Sequence, residues 1–558
     1  MTALGSARSV RVLAAVALAI AVGFPLARLA WALVADPGAL AVLVRPAELR
    51  AAGNTALLAV GTTAFAVLAG VPLGVLIARA DLPGAARWRA LATLPYVVPP
   101  YVAAIAWLAL ANPTTGWLNL PLAALGLPKL DVYGLPGMVW VMGLENTPLV
   151  MLATADALGR MDASLEEQAR IAGAGPWQVL RRVTLPLAVP AIVAAGSAVF
   201  AGSAASFGVP YLLGSGSAEP AWVLTTRIAQ HLDLDPATGR PAATALSVAL
   251  LALSATIPAL VTGWVARRSF TTVGGKATRK APFALGAFRP VAVAAVAAFV
   301  GIGAILPLGA LILLSVTDQL GAPPGPGNWS LAHYAEVLGR GRDQLAIARS
   351  VGLAAGAATV AVAFGGLIAV LDRPSRGGSD GGRWLGWLAR LPYAIPGTVL
   401  ALGLLLAWSQ EVRLIVFDRL TVALALGDSA WLLGLAYTVK FLALPTGAID
   451  AALRGLDPAL DEAARVHGAG FWTAVRRITV PILAPNLAAA WFVVFLPAFT
   501  EVTMSVLLAG PNSRVVGVLL FELQTYGDPP GAAALAVVVT AAVIAGNAAV
   551  VRLSTRGG

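Results

Sequence analysis

The apolar residues of this chain are gathered into blocks of about 20, the length a helix needs to cross a bilayer, separated by short polar stretches containing Gly and Pro. Twelve blocks can be marked: 12–35, 54–78, 91–112, 135–158, 186–213 and 241–266, then 290–316, 349–371, 389–409, 429–450, 481–509 and 532–552. They predict an all-α integral membrane protein with about twelve transmembrane helices. The first block follows Arg8 and Arg11 as a signal peptide's apolar region would. It is longer than the roughly 7 to 15 residues typical of such a region, so it is expected to remain as the first span.

Composition agrees with that pattern. Of 558 residues 58% are hydrophobic and only 12% charged, against about 25% charged in ordinary soluble domains, and the mean hydropathy is +0.82. The net charge of +11 does not point to nucleic acid, because the basic residues are dispersed among apolar segments rather than gathered on one soluble face. They do define a topology. With the N-terminus inside, 25 Lys and Arg fall in inside segments and 10 in outside segments. That bias places both termini in the cytoplasm of a multi-pass protein. Cysteine is absent and the three His (His231, His333, His467) are far apart, so thiolate and histidine metal sites are not expected.

The chain is internally duplicated. EEQARIAGAGPWQVLRRVTLPLAVP, Glu166 to Pro190, returns as DEAARVHGAGFWTAVRRITVPILAP, Asp461 to Pro485, at an offset of 295 residues. Over 157–190 against 452–485 there are 16 identities in 34 positions. Upstream, LPYVVPP at 94–100 is echoed by LPYAIPG at 391–397. The repeating unit is therefore six helices. An even number of spans gives both copies the same orientation, so the two are parallel repeats about an axis along the membrane normal. The expected organisation is a first six-helix domain over 1–266, a basic linker over 267–289 and a second six-helix domain over 290–558, with any pathway between the halves.

The repeated loop predicts a helix, a turn and a second helix. Ser164 with Glu167 fits a capping box, and Asp457 with Pro458 supplies an N-cap and a Pro at the first helical position. Gly173-Ala174-Gly175 permits the positive φ that ends a helix. Trp177 and the Arg181-Arg182 pair follow. Small residues let another protein approach this surface, while the arginines suit lipid headgroups or partner carboxylates.

The spacing E-x-A-x3-G-x9-[VI]-x-[LV]-P in these loops resembles the EAA signature of permease subunits of binding-protein-dependent ABC importers. It is met by Glu167, Ala169, Gly173, Val183 and Pro186, and again by Glu462, Ala463, Ala464, Gly468, Ile478 and Pro481. Gln168 and Val480 depart from the usual Ala and Leu. The resemblance implies the type I importer permease fold in a bacterial inner membrane. It also implies docking of two ATP-binding cassette ATPase subunits through Glu167–Gly173 and Glu462–Gly468, with solute handed over by an extracytoplasmic binding protein. The fused layout, with SFGVPYLLG at 206–214, LTTRI at 224–228 and EVTMSVLL at 501–508, resembles the ferric-iron subgroup, whose layout thiamine and phosphonate permeases share.

No nucleotide site of the chain's own is expected. VGGKAT at 273–278 has Phe270 where a P-loop's first Gly belongs and Ala277 where Ser or Thr would hold Mg²⁺. Lipase-type elbows and zinc-protease helices are also missing from the sequence. The chain is accordingly expected to be no enzyme and to bind no cofactor, with ATP and Mg²⁺ used on the partner subunits.

Charges inside the spans carry the remaining candidate chemistry, since each costs on the order of 2.5 to 3.5 kcal/mol on insertion scales. Glu145 and Lys440 are equivalent by the 295 offset and opposite in charge. Either they meet across the interface of the halves or line one path, or each bonds a local partner. Glu501, equivalent to Ser206, either faces the path or caps a helix end. Arg28 is expected to snorkel. Pro95, Pro99, Pro100, Pro392 and Pro396 predict a shared kink in the third helix of each half. A secondary transporter with two six-helix repeats is the main alternative, but the loop after the second span, ARADLPGAARWR, lacks the G-x3-D-[RK] pattern of major-facilitator types. A membrane scaffold would have no use for duplicated docking loops.

Overall fold

The computed structural model describes residues 2–162, 164–216, 219–234, 236–267, 283–319, 325–373, 384–409, 412–416, 420–424, 426–427, 429–457 and 459–556. Most of the basic linker, 268–282, therefore lies outside the described residues, as does Pro458. Among the described residues the regular structure is helical apart from one antiparallel hairpin, Val412–Val416 with Leu420–Leu424. Among the described residues nine helices are long and apolar enough to span a bilayer, and three bent helix pairs bring the number to twelve.

Those three pairs occur where proline or a charge interrupts an apolar run. The third span breaks by 91° between Ala85–Val97 and Pro100–Ala111, and the ninth by 105° between Trp384–Ala394 and Gly397–Trp408. At both breaks a proline, Pro99 or Pro396, holds extended backbone just before the second segment, because its ring fixes φ and disfavours helix at the residue before it. The expected kink is thus a near right-angle break. The tenth span bends by 40° between Ala430–Phe441 and Ala443–Arg454, whereas its counterpart Gly134–Gly159 is continuous. The runs 186–213 and 481–509 are not single spans either. Their helices stop at Ala204 and Phe499, and Gly208–Gly214 and Thr503–Leu508 form separate short helices.

The pseudo-twofold relation is visible in packing. Helix Phe24–Ala35 of the first half lies on Gly397–Trp408 of the second, and Leu306–Ser315 of the second lies on Pro100–Ala111 of the first. The first span of each half is therefore exchanged onto the other, sealed in one copy by Phe24 edge-on to Trp408 at 5.5 Å. Within the halves small residues set the approach of the second and fourth spans. A Cβ added to Gly70 or Gly74 would sit 2.8 Å from the Thr147 carbonyl or 2.7 Å from the Met151 carbonyl, the close backbone approach that small-xxx-small spacing allows. Gly365, the repeat equivalent of Gly70, faces Thr446 in the same way, with Oγ1 at 2.7 Å.

Candidate functional site

Each repeated loop folds as two short helices and a π-turn that leads into a span. In the first copy Ser164–Ile171 ends at Gly173, with φ +86°, and Pro176–Val179 follows. A π-turn, Leu180–Thr184, then feeds Leu185–Ala204. The second copy matches: Ala459–Val466, Gly468 with φ +75°, Phe471–Ala474, the π-turn Val475–Thr479 and Val480–Phe499. Left-handed backbone carries little cost only for glycine, which is why Gly173 and Gly468 stand at these turns.

The first helix start differs from the expected capping box, whereas the second has Asp457 at its N-cap as expected. Ser164 is the first helical residue, and its N–H donates to Asp162 Oδ1 at 2.9 Å. The Ala459 N–H donates to Asp457 Oδ1 at the same distance. Asp162 and Asp457 are equivalent by the repeat offset, so one aspartate caps both copies. A carboxylate serves here better than a hydroxyl because a charged acceptor faces the positive end of the helix dipole.

A one-residue step separates two roles for adjacent glutamates. Glu167 is exposed, together with Ile171 (87% exposed), Ala172 and Trp177 (69%). Ala169 is half-buried and Gly173 exposed. The second copy shows Val466 (84% exposed), Ala463, His467 and Gly468 on the outside and Ala464 buried. Glu462 sits on helix Ala459–Val466, and its side chain is outside what the structure describes. Each loop therefore presents an apolar tip with no covering partner. Glu166 is buried (5% exposed), and Thr184 Oγ1 donates to its Oε1 at 2.9 Å. Arg79 Nε lies 3.5 Å from that same oxygen, and Arg170 lies 3.7 Å from Oε2. Sequence reasoning passed over Glu166, Thr184 and Arg79. The available signal was the repeat itself, which keeps an acid at 166 and 461 and threonine at 184 and 479.

In the membrane interior the direct pair between Glu145 and Lys440 is not formed. The Lys440 ammonium donates to the carbonyls of Tyr393, at 3.2 Å, and Ile395, and lies 5.7 Å from the Tyr393 ring centre. Those carbonyls belong to the break in the ninth span, where helix hydrogen bonds are lost and backbone acceptors need a donor. Glu145 keeps Oε2 buried and without a hydrogen-bond partner. Glu501 caps a helix: its carboxylate accepts the N–H groups of Met504 and Ser505 at 2.9 Å and the Ser505 hydroxyl at 2.9 Å. Tyr437 closes that network through Ser505 at 2.7 Å. Tyr96 and Tyr393 are equivalent residues of the repeated LPY segments, one in each of the two broken helices. Arg28 Nε donates to the Leu406 carbonyl at 3.4 Å across the exchanged first span. Among the described residues no group of three or more His, Cys, Asp or Glu is placed to hold a metal.

Comparison with known proteins follows the repeat. The family described as "Binding-protein-dependent transport system inner membrane component" matches twice, over residues 70–270 and 361–556. The chain is 28% identical over 534 residues to a protein of Sinorhizobium fredii named "Probable ABC transporter permease protein y4fN", covering 93% of this chain and 89% of that one. It is 27% identical to the "Putative ferric transport system permease protein FbpB 1" of Haemophilus influenzae, covering 76% of this chain and 64% of that one. The "Molybdenum transport system permease protein ModB" of Escherichia coli is 30% identical over 39% of this chain and 95% of its own length. Matched twice by that family over more than half its length, and with nine apolar helices among the described residues, twelve if each bent pair is one span, the chain belongs to the inner-membrane permeases of binding-protein-dependent ABC importers.

Proposed function

We propose that this chain forms the two-domain translocation pathway of an ATP-driven importer for ferric iron delivered by an extracytoplasmic binding protein. Two ATPase subunits dock on the loops at Glu167–Gly173 and Glu462–Gly468 on the cytoplasmic side, where both termini also lie. The observation that carries the reading is the pair of equivalent, uncovered apolar tips, Ile171 with Trp177 and Val466 with Trp472, one per half. A two-fold motor needs one grip on each half, and an exposed Ile or Val beside a glycine turn suits a hydrophobic cleft better than water. ATP and Mg²⁺ act on the motors, and this chain converts their closure into movement of the spans.

Support for iron comes from the ferric-named relative, which aligns across most of this chain. The molybdenum relative corresponds to a single half, so that likeness concerns the repeat rather than the fused layout. Glu145 and Lys440, with Tyr96 and Tyr393, line the path between the halves in this reading, and Glu501 holds the break beside it. The test is reconstitution with the ATPase and binding protein in liposomes, with labelled ferric iron, molybdate and a phosphonate offered in turn. ATP-dependent uptake of iron alone is expected; uptake of molybdate or phosphonate in its place would refute the assignment of cargo, and uptake without ATPase would refute the importer.

A further inference from the structure

We infer that Glu166, Thr184 and Arg79 form a buried latch that makes the first coupling helix move as one body with the second span, and so set how motor closure reaches the membrane. The inference rests on the docking of ATPase subunits proposed above.

The chain connects helix Ser164–Ile171 to the membrane on its own only through turns: Gly173 with positive φ on one side and 160–162 on the other. A helix held by such hinges would swivel when pushed. The latch removes that freedom. Glu166 faces inward, 5% exposed, while Glu167 faces out, since successive helical residues are rotated by about 100°. Its Oε1 receives the Thr184 hydroxyl at 2.9 Å and faces Arg79 Nε at 3.5 Å. Arg79 is the last residue of helix Pro46–Arg79 and is 3% exposed. Thr184, also 3% exposed, ends the π-turn that starts the fifth span. One carboxylate thus ties the coupling helix to the ends of two spans.

Two features set the latch apart from ordinary surface pairing. Arg79 Nε and Nη2 are buried with no hydrogen bond of regular geometry, so Glu166 is the one carboxylate within ion-pair distance of this cation among the described residues. A buried charge with one counter-charge does not release it readily. In addition, Thr184 ends the π-turn Leu180–Thr184, where its hydroxyl reaches Glu166 Oε1 at 2.9 Å and the Val179 carbonyl at 3.4 Å, and π-turns concentrate at functional positions. The Phe283 N–H donates to the Arg79 carbonyl at 2.9 Å, which brings the end of the linker to the same point. In the second copy Thr479 occupies the same π-turn position and is likewise buried, at 4% exposed.

The absence of cysteine allows a test that requires no knowledge of the cargo. Phe521 packs against Tyr211 and Tyr101 of the other half, with ring centres 4.7 and 6.3 Å away, so a cysteine there reports separation of the halves far from the loops. The permease carrying Phe521→Cys is reconstituted with its ATPase in nanodiscs, and the labelling rate by a membrane-impermeant maleimide is measured without nucleotide and after trapping with MgATP and vanadate. Tyr211→Cys serves as a second reporter. The expected result is a nucleotide-dependent change in rate that shrinks on the order of tenfold when Thr184→Val or Glu166→Gln is added, the scale of one hydrogen bond to a charged group, while ATP is still hydrolysed and the ATPase still co-purifies. A purely structural role would lower hydrolysis and labelling response together. Should Glu166→Gln fail to fold, the milder Thr184→Val decides. Full response in a folded Thr184→Val complex overturns the latch, whereas no nucleotide response in the parent reporter chains, or no bound ATPase, overturns the docking reading beneath it.

Discussion

Truncating the two apolar loop tips, Ile171→Ala and Val466→Ala, gives a quantitative forecast. Ile171 is 87% exposed and Val466 84% exposed, so nearly all of each side chain is free to enter a partner. Ile→Ala removes three carbons and Val→Ala two. At about 0.8 kcal/mol per buried CH₂, scaled by the exposed fraction, full burial in a motor cleft is worth about 2 kcal/mol for Ile171 and about 1.3 kcal/mol for Val466. At 1.4 kcal/mol per decade, Ile171→Ala weakens ATPase binding about thirtyfold and Val466→Ala about tenfold. The tips belong to different halves, so the effects should add to about three hundredfold in the double variant. Because neither side chain packs within the chain, thermal unfolding of the detergent-purified permease should stay within about 0.5 kcal/mol of the parent. Titration of ATPase onto nanodisc-held permease, followed by interferometry, measures the affinities. Unchanged affinity in the double variant, with the fold intact, would show that the tips do not enter the motors and that the uncovered surface has another purpose.

Other consequences follow from the same geometry. Gly173→Ala should destabilise its loop by about 1 to 2 kcal/mol, because φ +86° strains an L-residue; Gly175→Ala, at φ −69° with nothing within 4 Å of the added carbon, should not, and hydrogen exchange across 164–180 separates the two. Arg79→Met leaves the Glu166 carboxylate buried without its cation from the second span, and should lower stability by about 3 to 5 kcal/mol, read as a drop in denaturation midpoint far larger than for the exposed Arg181→Met. Exchanging charges, Glu145→Lys with Lys440→Glu, should not restore the uptake lost on reversing either one, because Lys440 bonds the Tyr393 and Ile395 carbonyls and not Glu145; restored uptake in the double reversal would establish direct pairing. Gly74→Leu should block folding, since its first added carbon already meets the Met151 carbonyl at 2.7 Å, whereas Gly53→Leu, with open space around it, should fold normally when both are scored by monodisperse elution from detergent.

Local chemistry and counting along the chain were enough to place the spans and the repeat. Long apolar blocks must be helices in lipid because the bilayer offers backbone groups no partners, and the 295-residue offset required two parallel halves. Proline pairs at 95 and 99, and at 392 and 396, marked where the third helices yield, and glycine at 173 and 468 marked the turns of the repeated loops. The partners of the polar groups were set by how distant helices pack. The signature spacing singled out Glu167, but that its neighbour Glu166 turns inward was settled by packing against Thr184 and Arg79, residues 18 and 87 positions away that the fold brings together. Lys440 finds its acceptors 47 and 45 positions away, at carbonyls that exist as free acceptors only because the ninth span breaks by 105°. Equivalent positions in a repeat share a backbone environment but not a partner, because a charge in a low-dielectric interior binds the nearest group able to satisfy it. For Lys440 that group was made by the fold.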